Sequence, residues 1–546
     1  MMQRITRRSL LAGMTAAGVG ALGLAGCTTA DTPGTGNGSP GSSAGSNILP
    51  TFHDPVTVTP DLVSKYQGMS AFFHYPAEVK PSVPEPPLKG ETVTALTYTY
   101  DPIAPALPQN PMWQAVNAAI GGTLDISYTA SADYTTKLST TLAGDDLPDF
   151  VSILSSPPAQ YPALLKAKFT DLTEYLAGDA IKDYPNLAGI PTQSWQGAAV
   201  VGGRLWGVPI ARVPVPGVGL LREDILTKAG LSTKPSSFAE LTELLKALTV
   251  PDKKQFGSGD PGAIAGFLAA TRGLSNGWTE KDGAFLYDIE AEGYEQVLAD
   301  VAALSKAGVF HPDSLTATNN IRNDWFTNGT TPLVFGGYAG WSKYEAWGEA
   351  VPGFKLAALE VFGEGGITPV YARGNVQAST TLIKKTDPER VKLLLGLLNW
   401  LAGPFGSSED LLKFYGVKDT TYTLDGTDPI LTESGKTLRL VPFQYVGSGP
   451  QVIYDPGKQR VSEDRFNYQE KALPLMQPDP TAGLYSETAT SKLSLLNRTM
   501  NDVKNAILVG RQPVSDWKAA VDTWRSGGGD TIRKEYEEAF AEAKGR

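Results

Sequence analysis

Apolar and polar positions first fall into a regular pattern at Gly90. Thr92-Val93-Thr94-Ala95-Leu96-Thr97-Tyr98 alternates threonine with apolar residues, the period of a strand. An amphipathic helix is expected over Met112–Ile120, and Asp133–Ala143 sets Tyr134, Leu138 and Leu142 on one helical face. Asp149-Phe150-Val151-Ser152-Ile153-Leu154 then reads as a buried strand. Alternating strand and helix signals predict an α/β layer on a largely parallel sheet.

A second such series begins near Pro209. Ser237-Phe238-Ala239-Glu240 has the form of a capping box, and Leu241, Leu244, Leu245 and Leu248 follow at helical spacing. Tyr294, Val297, Leu298, Val301 and Leu304 repeat that stripe, closed by Gly308 as a C-cap. Asp387-Pro388-Glu389 opens a further helix, with Asp as N-cap, Pro at the first position and Val391, Leu394, Leu395, Leu398 and Leu401 as its core face. The chain ends in two helical segments, Ser515–Arg525 and Asp530–Ala543, interrupted by Gly527-Gly528-Gly529. No repeat with a period of about 20–50 residues occurs.

Ahead of Gly90 the pattern dissolves. Thr28 to Ser46 is rich in Gly, Ser, Thr and Pro with Asp31 as its only charge, a composition expected of a flexible tether. Residues 47–89 end in the Pro-rich run Val79–Pro87, expected to act as a stiff spacer that lifts a folded body off a membrane. The first residues read as an export signal: Thr6-Arg7-Arg8-Ser9-Leu10-Leu11 suggests the twin-arginine route, and an apolar run leads to the lipobox Leu24-Ala25-Gly26-Cys27. Cys27 would be acylated through its sulfur and become the mature N-terminus. The alternative is one transmembrane anchor. Residues 9–26 carry five glycines and fall short of the about 20 apolar residues a span needs.

Composition narrows the function. Cys27 is the only cysteine in 546 residues. A lipid on it leaves no thiol for disulfides, nucleophiles or thiolate metal sites. The formal charge is -10, and removing the three arginines of the signal makes it -13. A surface of that sign repels phosphate backbones and anionic head groups, so no nucleic-acid partner is expected and the lipid is the expected anchor.

Most catalytic patterns fail their context. Gly273-Leu274-Ser275-Asn276-Gly277 fits the nucleophile elbow, but the segment before it looks helical, and the same pattern recurs at Gly41–Gly45 inside the tether. Gly257-Ser258-Gly259-Asp260-Pro261-Gly262 matches a dinucleotide fingerprint yet follows a polar stretch, so a loop is expected. His53, His74 and His311 are too few and scattered for a metal site or an acid–base cluster and read as surface or capping residues. Carboxylate pairs among the 57 acids stay open, because a sequence carries no distances. Aromatic residues are the richer signal, since a flat ring can cover the apolar face of a sugar while polar neighbours take its hydroxyls. Trp278, Tyr338, Trp341, Trp347 and Tyr371 sit among Gly, Asn, Thr and Pro and are expected in loops, whereas Trp400, Trp517 and Trp524 fall on apolar helical stripes.

The order of several segments resembles the extracellular solute-binding proteins of ABC importers, in particular the large LipO-like lipoprotein branch related to maltose- and alginate-oligosaccharide-binding proteins. The resemblance is carried by Leu138–Asp149 with its Gly144-Asp145-Asp146-Leu147-Pro148-Asp149, by Gly202-Gly203-Arg204-Leu205-Trp206-Gly207-Val208-Pro209, and by Leu221-Arg222-Glu223-Asp224-Ile225-Leu226 followed by Lys234–Leu241. Asn328-Gly329-Thr330 to Gly340-Trp341 and Trp517–Phe540 have counterparts too. It implies a type II periplasmic-binding-protein-like fold, two α/β lobes joined by crossing strands with a ligand cleft between. The expected boundaries are a signal over 1–26, a lipidated tether and spacer over 27–89, a first lobe over 90–211 completed by about 360–405, and a second lobe over 212–359. A C-terminal insertion with helices packing on both lobes would fill 406–546.

The same resemblance implies a non-enzymatic, monomeric receptor that closes on an oligosaccharide and delivers it to ABC permease subunits from the outer face of the membrane. Tyr338 and Trp341 fall where relatives present an aromatic to the ligand. Asp101, Ser155 and Ser156 follow first-lobe strands, Arg212 and Arg373 lie beside the crossings, and Phe267 and Trp278 belong to second-lobe segments that can face the cleft. Relatives often carry a calcium loop, but Val250–Asp260 offers only Asp252 and Asp260 with two lysines between. Calcium takes about six to eight oxygens, so no metal or other cofactor is expected. The alternatives are a secreted polysaccharide hydrolase, or a receptor for a peptide or other solute.

Overall fold

The computed structural model describes residues 48–544 except 56–57, 145, 155–156, 159, 197–198, 275–276 and 483. The signal, Cys27 and the tether lie outside the described residues. The threonine-alternating run forms β1 (Thr92–Thr99), followed by α1 (Pro111–Ala119), β2 (Thr123–Ala130), α2 (Ser131–Ala143) and β3 (Phe150–Leu154). β1 runs parallel to both β2 and β3, as strand–helix–strand steps favour. On one face Val93 meets Val116, Leu124 and Phe150; on the other Leu96 and Tyr98 meet Tyr134 and Val151. Burial on both faces explains why the run holds no charge. β4 (Gly207–Ala211) leads out of this lobe.

The second lobe contains β5 (Gly217–Arg222), α3 (Phe238–Ala247), α4 (Pro261–Thr271), α5 (Tyr294–Lys306), β6 (Leu333–Gly337), α6 (Trp341–Gly348) and β7 (Leu356–Leu359). The Ser237 hydroxyl accepts the Glu240 amide at the start of α3, while the Glu240 carboxylate takes the amide of Ser236, one residue outside the capping-box position. Leu241, Leu245, Val297, Leu298 and Val301 pack into one core. The sheet, in the order β6-β5-β7, is wholly antiparallel, so the largely parallel expectation fails here and is met only by β1, β2 and β3 of the first lobe, whose sheet is mixed. The chain enters along β5 and leaves along the neighbouring β7, which forces those two to run oppositely.

The return passage lies beside the outgoing one: the Arg212 amide donates to Val376 and the Gly374 amide to Pro214. β8 (Gln377–Ile383) then inserts between β3 and β4, antiparallel to both, giving the order β2-β1-β3-β8-β4. α7 (Pro388–Leu401) is capped by Asp387, which accepts the Arg390 amide, and lays Leu394, Leu395 and Leu398 on the first core.

The rest of the chain serves both lobes. It forms α8 (Ser408–Tyr415), α9 (Gln459–Ala472), α10 (Ser494–Leu508), α11 (Asp516–Trp524) and α12 (Asp530–Lys544). Phe443 and Val446 join the first core; Met500, Ile507, Trp517, Trp524 and Ile532 join the second. At Gly529 a Cβ would stand 2.2 Å from the Trp524 ring, so this glycine lets the turn between α11 and α12 close over the indole.

Residues 48–89 differ most from expectation, because they are strapped to the body rather than extended away from it. Ala71–Phe72 pairs with Ile453–Tyr454, and Phe72 stacks on Phe405 at 4.3 Å. The Tyr75 hydroxyl donates to Asp410 at 2.9 Å, and the Ser64 hydroxyl to Glu470 at 2.5 Å. Prolines lack amide donors, and the amides that the Pro-rich run retains at Ser82 and Val83 are taken by the Glu409 carboxylate. Among the described residues no helix is long and apolar enough to cross a membrane.

Candidate functional site

In open α/β sheets, ligands gather at the carboxyl ends of the strands. β1 ends there in Tyr98-Thr99-Tyr100-Asp101. Tyr98 is buried and stacks on Tyr445 at 4.7 Å, while Tyr100 stands nearly perpendicular to both rings and is 61% exposed. Burial pushes the Tyr98 hydroxyl above its ordinary pKa, with the nearby Arg212 guanidinium acting against it. Arg212 itself is exposed at the start of the outgoing passage. The Asp101 amide donates to the Thr99 hydroxyl, and the Asp101 carboxylate meets the Lys343 ammonium at 3.1 Å. Lys343 belongs to α6, so this ion pair joins the first lobe to the second.

Two cavities flank the turn between β6 and α6. One, about 500 Å³, is lined by Gly217, Phe267, Asn319, Arg322, Phe335 and Tyr371. The other, about 320 Å³, is lined by Val213, Tyr338, Asp410, Lys413, Arg439 and Gln444. Both mix aromatic walls with hydrogen-bonding side chains, the composition that holds a polyhydroxylated ring. Burial pushes the Asp410 carboxyl up and the Lys413 ammonium down, each opposed by the charge of the other.

The residues singled out from the sequence separate into three groups. Asp101, Arg212 and Arg373 lie at the strand ends and passages, with the Arg373 amide held by Gln477. Phe267 is buried on α4 against Phe335 and Phe362 but still borders the larger cavity. Ser155 and Ser156 lie outside the described residues.

The loop expectation for the aromatics needs correction. Trp278 starts a short strand, Trp278–Lys281, and is buried among Tyr287, Trp524 and Tyr536 in the second core. Tyr338 stacks on Tyr468 at 6.1 Å and donates its hydroxyl to the Arg465 carbonyl at 3.1 Å. Trp341 opens α6 and is fully buried, with its ring against Tyr468. The cause is α9, which lays Tyr468 across the turn. The surrounding glycines mark a turn, not exposure.

Tyr100, Tyr445, Lys343 and Arg439 join the site without being among the residues expected there. Tyr100 and Asp101 had a usable signal, an aromatic and a charge immediately following a strand expected to be buried. The others come from segments with no local link to β1.

Two of the three histidines are engaged elsewhere: His74 pairs with Asp428 at 3.0 Å, and His311 stacks on Trp325 at 3.8 Å. Asp260 caps α4 and pairs with Arg322 at 3.1 Å. Among the described residues no group of three or more His, Cys, Asp or Glu could hold a metal ion.

Sequence and fold comparisons agree with this architecture. The chain is 24% identical over 450 residues to the polygalacturonan/rhamnogalacturonan-binding protein YtcQ of Bacillus subtilis, covering 77% of this chain and 86% of that one. It is 20% identical over 478 residues to Lipoprotein LipO of the same organism, covering 83% and 93%. Among solved structures, an HMO-binding, ABC-transporter-associated solute-binding protein of Bifidobacterium longum infantis superposes with a TM-score of 0.62 at 17% identity, over 83% of this chain and 98% of that one. The family model for bacterial extracellular solute-binding proteins matches residues 106–404, and with two α/β lobes joined by paired passages the chain belongs to that family.

Proposed function

We propose that this protein captures an oligosaccharide outside the cell and hands it to the permease subunits of an ABC importer, without chemistry of its own. The observation that carries this reading is the exposed Tyr100 ring at the carboxyl end of β1, followed by Asp101, whose carboxylate pairs with Lys343, and packed against Tyr98 and Tyr445, which Arg212 neighbours. A ring so placed covers the apolar face of a sugar, and the charged neighbours take its hydroxyls. The similar proteins include a polygalacturonan/rhamnogalacturonan-binding protein and an HMO-binding solute-binding protein, which supports a sugar ligand. Capture proceeds by closure: the ligand touches both lobes and so stabilises the closed arrangement, which the permease then recognises. A lipid on Cys27 keeps the monomeric receptor near its transporter after export through the twin-arginine signal.

Isothermal titration against a panel of neutral and acidic oligosaccharides, with solution scattering to follow compaction, tests the reading. Binding that shrinks the radius of gyration is expected; silence across the whole panel would sink it. For the anchor, Cys27→Ala should release the protein into the medium, and continued membrane retention would contradict the lipid assignment.

A further inference from the structure

The smaller cavity has an uneven charge. Arg465 on its wall is neutralised by Asp455 at 2.7 Å. Asp410 accepts the Tyr75 hydroxyl and faces Lys413 one helical turn along α8. Lys413 is 3% exposed, and its ammonium makes one hydrogen bond, to the Leu401 carbonyl at 2.5 Å, although it carries three donors. Arg439 opens on the same cavity and holds no carboxylate among the described residues. Among the described residues Arg212 and Arg373, on the two hydrogen-bonded passages, hold none either. Buried or half-buried arginines are otherwise paired, as Arg222 is with Asp224, Arg272 with Asp300 and Arg390 with Asp149, whereas Arg498 and Arg511 on or just after α10 share the unpaired state among the described residues. In a chain with ten more acids than bases, three guanidinium groups without a carboxylate beside a buried lysine with spare donors leave the junction able to take a carboxylate from outside. A planar guanidinium fork fits a carboxylate in two parallel hydrogen bonds.

We propose that this cavity is a subsite for a carboxylate-bearing sugar residue, read by Arg439 and Lys413, with Arg212 and Arg373 beside its approach. The proposal rests on the oligosaccharide reading above and narrows it to acidic sugars. Its test is titration of the full chain in detergent with trimers of galacturonic, glucuronic and mannuronic acid, each against its carboxyl-reduced neutral form. At least one acidic trimer should bind tenfold or more tighter than its neutral form, with the advantage shrinking as salt rises. Arg439→Gln, at an exposed position, should remove about that tenfold from the acidic trimer and weaken the neutral form far less, with the melting temperature unchanged. Neutral trimers that bind as tightly as acidic ones overturn this proposal alone. So does an Arg439→Gln variant that weakens both forms equally. Silence of every trimer and of the wider panel overturns the oligosaccharide reading with it.

Discussion

Two aromatic clusters meet the junction from opposite lobes, and they dispose of their rings differently. On the first lobe Tyr98 and Tyr445 stack and leave Tyr100 standing in solvent. On the second, Tyr338, Trp341 and Tyr468 close on one another, and all three are buried. The sequence around the second cluster is the more loop-like, with glycines at 336, 337 and 340. What separates them is a covering element: Tyr338 hydrogen-bonds to Arg465, 127 residues later in the chain. The second cluster is mainly architecture, and the first offers a surface.

The largest effect expected from this contrast is on stability. Trp341→Ala should cost about 3–5 kcal/mol by opening a cavity under α9, read as a large drop in melting temperature. An unchanged melting temperature with lost ligand binding would reverse the assignment and make Trp341 a ligand ring.

The opposite end of the first sheet supplies a control that should touch stability alone. Burial acts to raise the Asp149 carboxyl, but the Thr94 amide, Arg390 and Lys384 outweigh it and hold its pKa below the usual carboxylate value. A depressed pKa stabilises the fold above the unfolded value of about 3.9, and that contribution is lost as pH falls through the folded value. Asp149→Asn should therefore cost about 1.5–3 kcal/mol at neutral pH, with the gap to wild type narrowing below pH of about 4 in denaturant titrations. A gap that stays constant into acid would show that the ion pairs contribute nothing. Sugar binding should not change.

Tyr100→Ala tests the exposed half of the comparison. Affinity should fall about tenfold, or about 1.4 kcal/mol, while stability stays within about 0.5 kcal/mol as for other surface positions. If calorimetry finds affinity unchanged for every sugar that binds, the first-lobe cluster is no platform.

The same contrast explains what the sequence made legible. Ser237 and Asp387 cap their helices as read, because a cap needs only the next three residues. Both the β1 run and the leucine stripes found their cores, since periodicity records which face is buried. The strap over residues 48–89 escaped notice: Tyr75 finds Asp410 and Phe72 finds Phe405 across more than 300 residues, and no local pattern encodes such pairings. Trp278 and Trp341 lie buried rather than in loops for the same reason, since Trp524, Tyr536 and Tyr468 cover them from far along the chain. At the candidate site, the resemblance points to Asp101 after β1 and Arg212 beside the outgoing passage, whereas Lys343, which pairs with Asp101, and Tyr445, which stacks on Tyr98, come from segments with no local link to β1.

Lys343 and Asp101 are also where the two halves of the comparison touch, and the expected effect there is the smallest. Their side chains are 58% and 29% exposed, and such ion pairs contribute about 0–1 kcal/mol. Stability of Lys343→Ala should match wild type. A pair that spans the lobes biases their equilibrium by its own free energy, so removal should shift open against closed populations by at most about fivefold. Scattering of the ligand-free protein at low salt should then give a slightly larger radius for the variant, and the difference should vanish at high salt, where the pair is screened. An identical radius at low salt would mean that the lobes are held by the hydrogen-bonded passages and the α9 contacts alone, leaving Lys343 free to serve the ligand.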